Sequence, residues 1–270
     1  MNFACAGDNC IDYYDRDDAA FCGGNPVNVA VYIKRLGGDS SYTGAVGNDR
    51  FGRVMLDSLQ AKGVDTSTVQ VKDGATAVCH VEMKDGDRIL GDYDEGVMAD
   101  FTLDKDEICW LAGQDIVISG LWSHMENVLK DIKAEGQTVI AFDCADRPYD
   151  PVSVTASQSA DILFFSDDSA DDEELKSVLA DLASRGPALV VATRGKNGSM
   201  AYDGRNFCFH GIIECELVDT MGAGDSYIAG FLYEYMKRRQ QSGHIVDDIE
   251  ACMKAGAESA AVTIGYSGAW

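Results

Sequence analysis

A three-layer α/β/α fold built on a mostly parallel central sheet, with a small β-sheet beside it, is the fold class this sequence predicts. Three observations carry that reading. Short apolar runs alternate with segments of helical periodicity along most of the chain, one clear hairpin at 76–93 stands outside the alternation, and only four prolines occur, with no repeat or linker to mark a domain break. Strand–helix alternation implies parallel strands covered on both faces. A chain of 270 residues, 46% hydrophobic, supports one such core with a small appendage. It is read as one domain, 1–270, with the appendage drawn from about 10–20 and 75–93.

The first strand is expected at 3–6, and the polar residues 10–20 supply a short strand of the small sheet. Asn25-Pro26 opens a helix over 26–36, with the asparagine side chain as N-cap and proline at the first helical position, and Gly37-Gly38 ends it. A strand at 40–44 and a helix at 50–62 follow. In the hairpin, Ala77, Cys79, Val81 and Met83 alternate with Val78, His80, Glu82 and Lys84; Asp85-Gly86 makes the turn and Arg88-Ile89-Leu90 the return. Strands at 115–119, 138–142, 161–165 and 188–192 then interleave with helices at 104–112, 124–135 and 171–184. Two helices, 224–238 and 247–264, complete the set; in the first, Ile228, Phe231, Leu232 and Tyr235 recur at helical spacing, so it starts near Ala223.

Forty-five acidic against 22 basic residues give a formal charge of −23, which excludes the basic footprint that nucleic acid or an anionic membrane requires. Nine cysteines without a Cys-x-x-Cys pair read as reduced thiols of a cytoplasmic protein. The first residues lack a basic and apolar leader, and no run of about 18 apolar residues occurs. The four histidines are scattered, with His124 a candidate pocket residue. Neither a Gly-x-x-x-x-Gly-Lys-Ser/Thr loop nor a Gly-x-Gly-x-x-Gly turn after the first strand is present, against a P-loop kinase or a dinucleotide-binding enzyme.

The run Asp219-Thr220-Met221-Gly222-Ala223-Gly224-Asp225-Ser226 places small residues and a carboxylate at the mouth of a helix. Gly222, Ala223 and Gly224 let the backbone approach an anion, and the helix N-terminus favours the charge that develops on a transferring phosphoryl group. Asp225 beside that anion can orient a hydroxyl and take its proton, although the same dipole lowers its pKa. An Asp in a first helical turn is also an ordinary charge–dipole device.

With Phe21-Cys22-Gly23-Gly24-Asn25-Pro26-Val27-Asn28, Leu36-Gly37-Gly38 and Gly44-Ala45-Val46-Gly47-Asn48-Asp49 upstream, the chain resembles the ribokinase-like (PfkB) carbohydrate kinases in residue type, order and separation. The resemblance implies a ribokinase-like fold in which the small sheet is a lid, and ATP carrying Mg2+ that keeps several waters, with no protein-held metal cage. It makes Asp225 the catalytic base with Gly222, Ala223 and Gly224 as the anion hole. Asp12 aligns with the carboxylate that chelates sugar hydroxyls, with Gly23, Gly24 and Asn28 holding the sugar; Asp8 is either a second sugar ligand or a loop cap. Thr193, Gly195, Asn197 and Gly198 resemble the nucleotide phosphate and ribose loop. Adenine is expected near Ala255, Gly256 and Ser259, although small residues there also suit close helix packing.

Two departures stand out. Where relatives carry Asn-x-x-Glu, this chain has Ser166-Asp167-Asp168-Ser169, and the nearby Asp171-Asp172-Glu173-Glu174 reads as a solvated first helical turn. Met221 replaces a hydroxyl residue near the monovalent-cation loop, which leaves potassium activation open. Gly91-Asp92-Tyr93 and Glu95-Gly96-Val97-Met98-Ala99-Asp100-Phe101 are similar to the branch of the family that acts on fructosamines, so the implied acceptor is the 6-hydroxyl of an amino-acid-linked fructose. Arg88, Asp92, Asp94 and Glu95 could pair with its charged tail or form a solvated face. A kinase of another sugar, such as fructose, ribose or 2-keto-3-deoxygluconate, and a non-catalytic regulator are the alternatives. The apolar face of 77–83 suits either a homodimer contact or a cover over the chain's own sugar.

Overall fold

Fourteen strands and eight α-helices make up the computed structural model, which describes residues 1–14, 18–84, 87–242 and 248–270 and, from 82 to 90, backbone pairing alone. The strands in chain order are β1 (Asn2–Ala6), β2 (Cys10–Tyr14), β3 (Ala19–Gly23), β4 (Asp39–Thr43), β5 (Ala45–Gly47), β6 (Gln70–Lys72) and β7 (Val78–Lys84). They continue with β8 (Asp87–Asp94), β9 (Ile116–Gly120), β10 (Val139–Asp143), β11 (Ile162–Ser166), β12 (Leu189–Thr193), β13 (Ser199–Tyr202) and β14 (Phe207–His210). The helices are α1 (Asn25–Arg35), α2 (Arg50–Ala61), α3 (Lys105–Ala112), α4 (Leu129–Glu135), α5 (Pro151–Ser157), α6 (Asp172–Ala183), α7 (Ala223–Ser242) and α8 (Ile249–Thr263).

Eight strands form the main sheet in the order β14-β13-β12-β11-β10-β9-β1-β4, parallel from β12 to β4, with an antiparallel β13–β14 hairpin on one edge. Alternate residues of the parallel strands feed two separate cores. Phe3, Cys5, Ile116, Ile118, Ile162 and Phe164 pack with α1, α7 and α8, while Ala4, Val117, Ile140, Phe142, Leu163 and Phe165 pack with α3, α4, α5 and α6. This is the both-faces burial that near-continuous apolar strands demand. Strand order reverses at β1, so the loops after β1 and β9 open a crevice at the carboxyl end of the sheet, where α/β folds bind ligands.

A second sheet, β3-β2-β7-β8, stands beside this crevice. The segment expected to give one short strand at 10–20 forms two, β2 and β3, paired antiparallel from Cys10↔Gly23 to Tyr14↔Ala19. The Asp85-Gly86 turn lies outside the described residues. Ala77, just before β7, and Cys79 and Val81 within it are buried as alternation requires, but Val78 is buried too, next to a register shift between Cys79 and Val81. Asp49 joins this sheet to the body: it caps α2 through Gly52 N–H at 2.8 Å and accepts from Thr76 Oγ1 at 2.7 Å.

Two expectations change. The helix at 124–135 starts only at Leu129, and α5 and the β5–β6 pair were not foreseen. Asn25 is not the N-cap of α1. Gly24 occupies that position without any side-chain cap, at φ 103, where a Cβ would come within 2.7 Å of Asn9 Cα, so glycine is required. The Asn25 side chain is engaged elsewhere.

Candidate active site

Helix α7 begins where glycine permits it. Gly222 has φ 71 and faces the Tyr32 hydroxyl, and the first helical bond runs from Ser226 N–H to Gly222 C=O at 2.8 Å. The N–H groups ahead of that bond lie at the positive end of the helix. Asp219 steadies the loop by accepting from Met221 N–H at 3.0 Å and Gly268 N–H at 2.9 Å.

Asp225, in the first turn of α7, is gripped from α1. Asn25 Nδ2 donates to its Oδ1 and Asn28 Nδ2 to its Oδ2, each at 2.7 Å. Asn25 Nδ2 also donates to Asp143 Oδ2 at 2.9 Å, and Trp270 Nε1 donates to Asn28 Oδ1 at 2.7 Å. Asn25 and Asn28 are three apart and share a helix face, which is why both reach one carboxylate. Burial raises the Asp225 pKa to about 6 against the two amide hydrogen bonds, with the Asp8 charge adding to the rise. Desolvation thus works against the lowering expected from the helix dipole and brings this carboxylate nearer to neutral pH, which suits a general base. Asp143, at the end of β10, is pushed up to about 7 by burial and then by the Asp225 charge.

Asp8 sits at the switch between β1 and β9. Its Oδ1 accepts from Ser123 Oγ at 2.8 Å and its Oδ2 from Asn25 N–H at 3.3 Å, and burial raises its pKa despite these bonds. The loop is set by Gly7, whose Cβ would overlap Ser123, and by Tyr42, which donates to Gly7 C=O at 2.7 Å. Asp8, Asp143 and Asp225 therefore meet around Asn25, three carboxylates drawn from the loop after β1, from β10 and from α7.

Asp12 lies on β2 opposite Phe21 and Cys79, with a carboxylate oxygen 3.5 Å from where a Gly23 Cβ would stand. After burial, its charge is the next cause raising the Cys10 thiol pKa, so Asp12 and Cys10 face the same space. Asn28, expected to hold sugar, spends its amide on Asp225. Asp92 is exposed on β8, and the Arg88 side chain lies outside the described residues. Asp94 caps the following turn through Gly96 N–H at 2.9 Å. Glu95 Oε2 pairs with His124 Nε2 at 3.4 Å; His124 has φ 56 and lies near enough to Asp8 to interact with it electrostatically.

On the other side of the Gly222–Asp225 turn lies a cavity of about 730 Å³. Thr193, Gly195 and Gly198 line it as expected, together with Ala223 and Gly224, whereas Asn197 does not. The α8 wall consists of Ala257, Ala260, Ala261 and Ile264. Ala255 and Ser259 face the other way: a Cβ on Gly230 would come 2.5 Å from Ala255 O and 2.7 Å from Ser259 Cβ, so these small residues serve contact between α7 and α8. Gly256 likewise meets Tyr227. Ile212, Ile213 and Leu217 form the outer wall, which the sequence reading missed.

The acidic residues near the absent Asn-x-x-Glu do local work. Asp167 accepts from Ser169 and Ala170 N–H at 3.0 Å, and Asp171 and Glu174 form a capping box on α6. Asp172 pairs with Arg194 at 2.8 Å. Among the described residues no helix is long and apolar enough to cross a membrane.

A carboxylate held at a helix start between a small-residue cavity and a crevice beside a second sheet suits transfer of a phosphoryl group between two bound molecules. Comparison with known proteins agrees. Residues 15–270 match the pfkB family carbohydrate kinases. The fructoselysine 6-kinase of Shigella flexneri is 40% identical over 267 residues, covering 99% of this chain and 98% of that one. The fructosamine kinase FrlD of Bacillus subtilis is 30% identical, covering 100% and 93%. The ribokinase of Arabidopsis thaliana, solved with ribose and ATP, superposes with a TM-score of 0.83 at 18% identity, covering 99% of this chain and 93% of that one. On sequence and fold alike, the chain belongs to the pfkB family of carbohydrate kinases.

Proposed function

We propose that this protein transfers the γ-phosphoryl group of ATP to the 6-hydroxyl of fructoselysine. The observation that carries the reading is the 40% identity to fructoselysine 6-kinases along essentially the whole chain, with Gly222-Ala223-Gly224-Asp225 intact. Nucleotide fits the cavity of about 730 Å³, its phosphates toward Gly195, Gly198 and the start of α7. Mg2+ bound to the nucleotide neutralises phosphate charge and leaves the acceptor chemistry to the protein.

The sugar occupies the crevice between Asp8, Asp12 and Asp225. Asp8 and Asp12 accept from its hydroxyls, which present donors at fixed spacing, while Gly23 and Gly24 allow close backbone approach. Each Asp225 oxygen keeps a lone pair beyond the one given to an asparagine, so the carboxylate can accept the 6-hydroxyl. As the new oxygen–phosphorus bond forms, the hydroxyl proton passes to Asp225 and the charge on the moving group is met by the α7 N-terminus. The small sheet acts as the lid that excludes water. Its apolar inner face serves the sugar or a second copy of the chain. Glu95, paired with His124 within range of Asp8, is the better candidate for the substrate's secondary ammonium; Asp92 and Arg88 lie farther back, on β8, the strand that leads to it.

The test is ADP release with Mg-ATP and fructoselysine, other fructosamines, fructose, ribose or 2-keto-3-deoxygluconate, beside an Asp225→Asn variant. Preference for fructoselysine that vanishes in the variant supports acceptor and base together. Preference for a free sugar replaces the acceptor and keeps the kinase. Silence with every acceptor rejects the reading.

A further inference from the structure

We propose that Asp143 is a positioning residue for phosphoryl transfer, fixing through the Asn25 amide the orientation in which Asp225 meets its substrate. The inference rests on the assignment of Asp225 as base.

An asparagine amide presents a donor or an acceptor according to a half-turn of its terminal torsion, and only its other partners decide which. At Asn28 the decision is made by Trp270, whose indole N–H can only donate; it takes Oδ1 at 2.7 Å and turns Nδ2 toward Asp225. At Asn25 the corresponding partner is Asp143, whose ionised carboxylate can only accept. It takes one Nδ2 hydrogen at 2.9 Å and leaves the other for Asp225 at 2.7 Å. Asp143 is itself fixed, its Oδ1 accepting from Ala145 N–H at 3.0 Å, with Ala145 in the left-handed region at φ 51 so that the chain turns back on the carboxylate. Asn25 Oδ1 is buried without a hydrogen-bond partner, and a Cβ at Gly120 would stand 3.0 Å from it, so nothing else anchors that end of the amide. Without an acceptor at 143 the amide can turn its oxygen toward Asp225, where it repels the carboxylate.

The groups that face Asp143 are Asp225 on α7, Asp8 after β1, Asn25 on α1 and the Ala145 N–H of its own loop, with His124 acting on Asp8. A protonated Asp143 could donate to Asn25 Oδ1 and release the lock, so both acids must be ionised for full rate. The acid limb of kcat then lies nearer the upper of the two values, about 7 for Asp143 and about 6 for Asp225.

The experiment compares wild type, Asp143→Ala, Asp143→Asn and Asp225→Asn for kcat, the KM of ATP, the pH profile and the thermal midpoint, with the acceptor that wild type prefers. Asp143→Ala is expected to lose up to about 10²-fold in kcat, the scale of a misplaced catalytic group, with the KM of ATP and the midpoint little changed. Asp143→Asn presents the donor and acceptor of the protonated acid in the same shape, so it should lose kcat as Asp143→Ala does, with the midpoint little changed and its acid limb moved down toward that of Asp225 alone. Full kcat in Asp143→Ala, with Asp225→Asn inactive, overturns this inference and leaves the kinase assignment standing. Loss of kcat that follows a fall in midpoint in both Asp143 variants, or full kcat in Asp143→Asn, also overturns it. A wild type inactive on every acceptor overturns both readings.

Discussion

Replacing Asp225 with asparagine should stabilise the protein while cutting its rate, and the gain should grow with pH. Burial raises the carboxyl from 3.8 to about 6. The folded state therefore holds the proton more tightly than the unfolded chain, and ionising the group costs stability as pH rises between those values. The full cost is at most about 3 kcal/mol, since one pKa unit is worth about 1.4 kcal/mol. Asparagine resembles the protonated acid in shape and in presenting one acceptor and one donor to Asn25 and Asn28, so the two proteins should match at low pH and part as Asp225 ionises. Roughly half of the difference is in place at pH 5, and about 1.5 kcal/mol more develops by pH 8. For a chain of this size that widens the gap in thermal midpoint by about 3–6 °C. Asp143 also ionises more easily once the charge beside it is gone, which adds in the same direction. The assay is thermal unfolding of both proteins by circular dichroism at pH 5, 6, 7 and 8 in one ionic strength. A gap that stays constant or shrinks with pH would refute the desolvation argument.

The same variant should lose about 10²–10⁴-fold in kcat with little change in the KM of ATP, measured by coupled ADP release. Glu95→Gln should raise the KM of fructoselysine by about 2–5-fold, the weight of one partly exposed charge pair, and leave that of free fructose unchanged; equal effects on both acceptors would remove Glu95 from tail recognition. Trp270→Phe keeps the ring and deletes the donor to Asn28 Oδ1, so kcat should fall by about tenfold, with a normal circular dichroism spectrum. Gly230→Ala should cost about 1–3 kcal/mol in urea unfolding, because its new methyl meets the α8 backbone 2.5 Å away at Ala255 O.

The parallel strands were legible because each is a near-continuous apolar run that both faces of the sheet bury, and all six expected at 3–6 through 188–192 lie within a residue or so of their places. Helix α5 escaped because seven residues rich in Ser, Thr and Val carry no usable period. Asn25 before Pro26 has the local chemistry of a cap, and only a carboxylate 200 positions away redirects it. Asp143 was passed over because an acid after a strand is ordinary in sequence; its ending an apolar parallel strand at the carboxyl edge was the available signal. On α8 small residues occur all round, so Ala255 and Ser259 could not be told from Ala257, Ala260 and Ala261 until α7 was seen packed against one side.

Because Gly230 and Gly256 bring the backbones of α7 and α8 into contact, the helix that carries the proposed base and the helix that walls the proposed nucleotide cavity are joined at these contacts. Donor pocket and proton acceptor thus travel as one rigid body. If the proposed lid closes, the distance between the two substrates is adjusted from the acceptor's side, through the small sheet that Asp49 and Thr76 tie to the body. The transfer distance is consequently set by how the sugar is pressed inward, and acceptors too short to engage that sheet would leave the donor ready but out of reach.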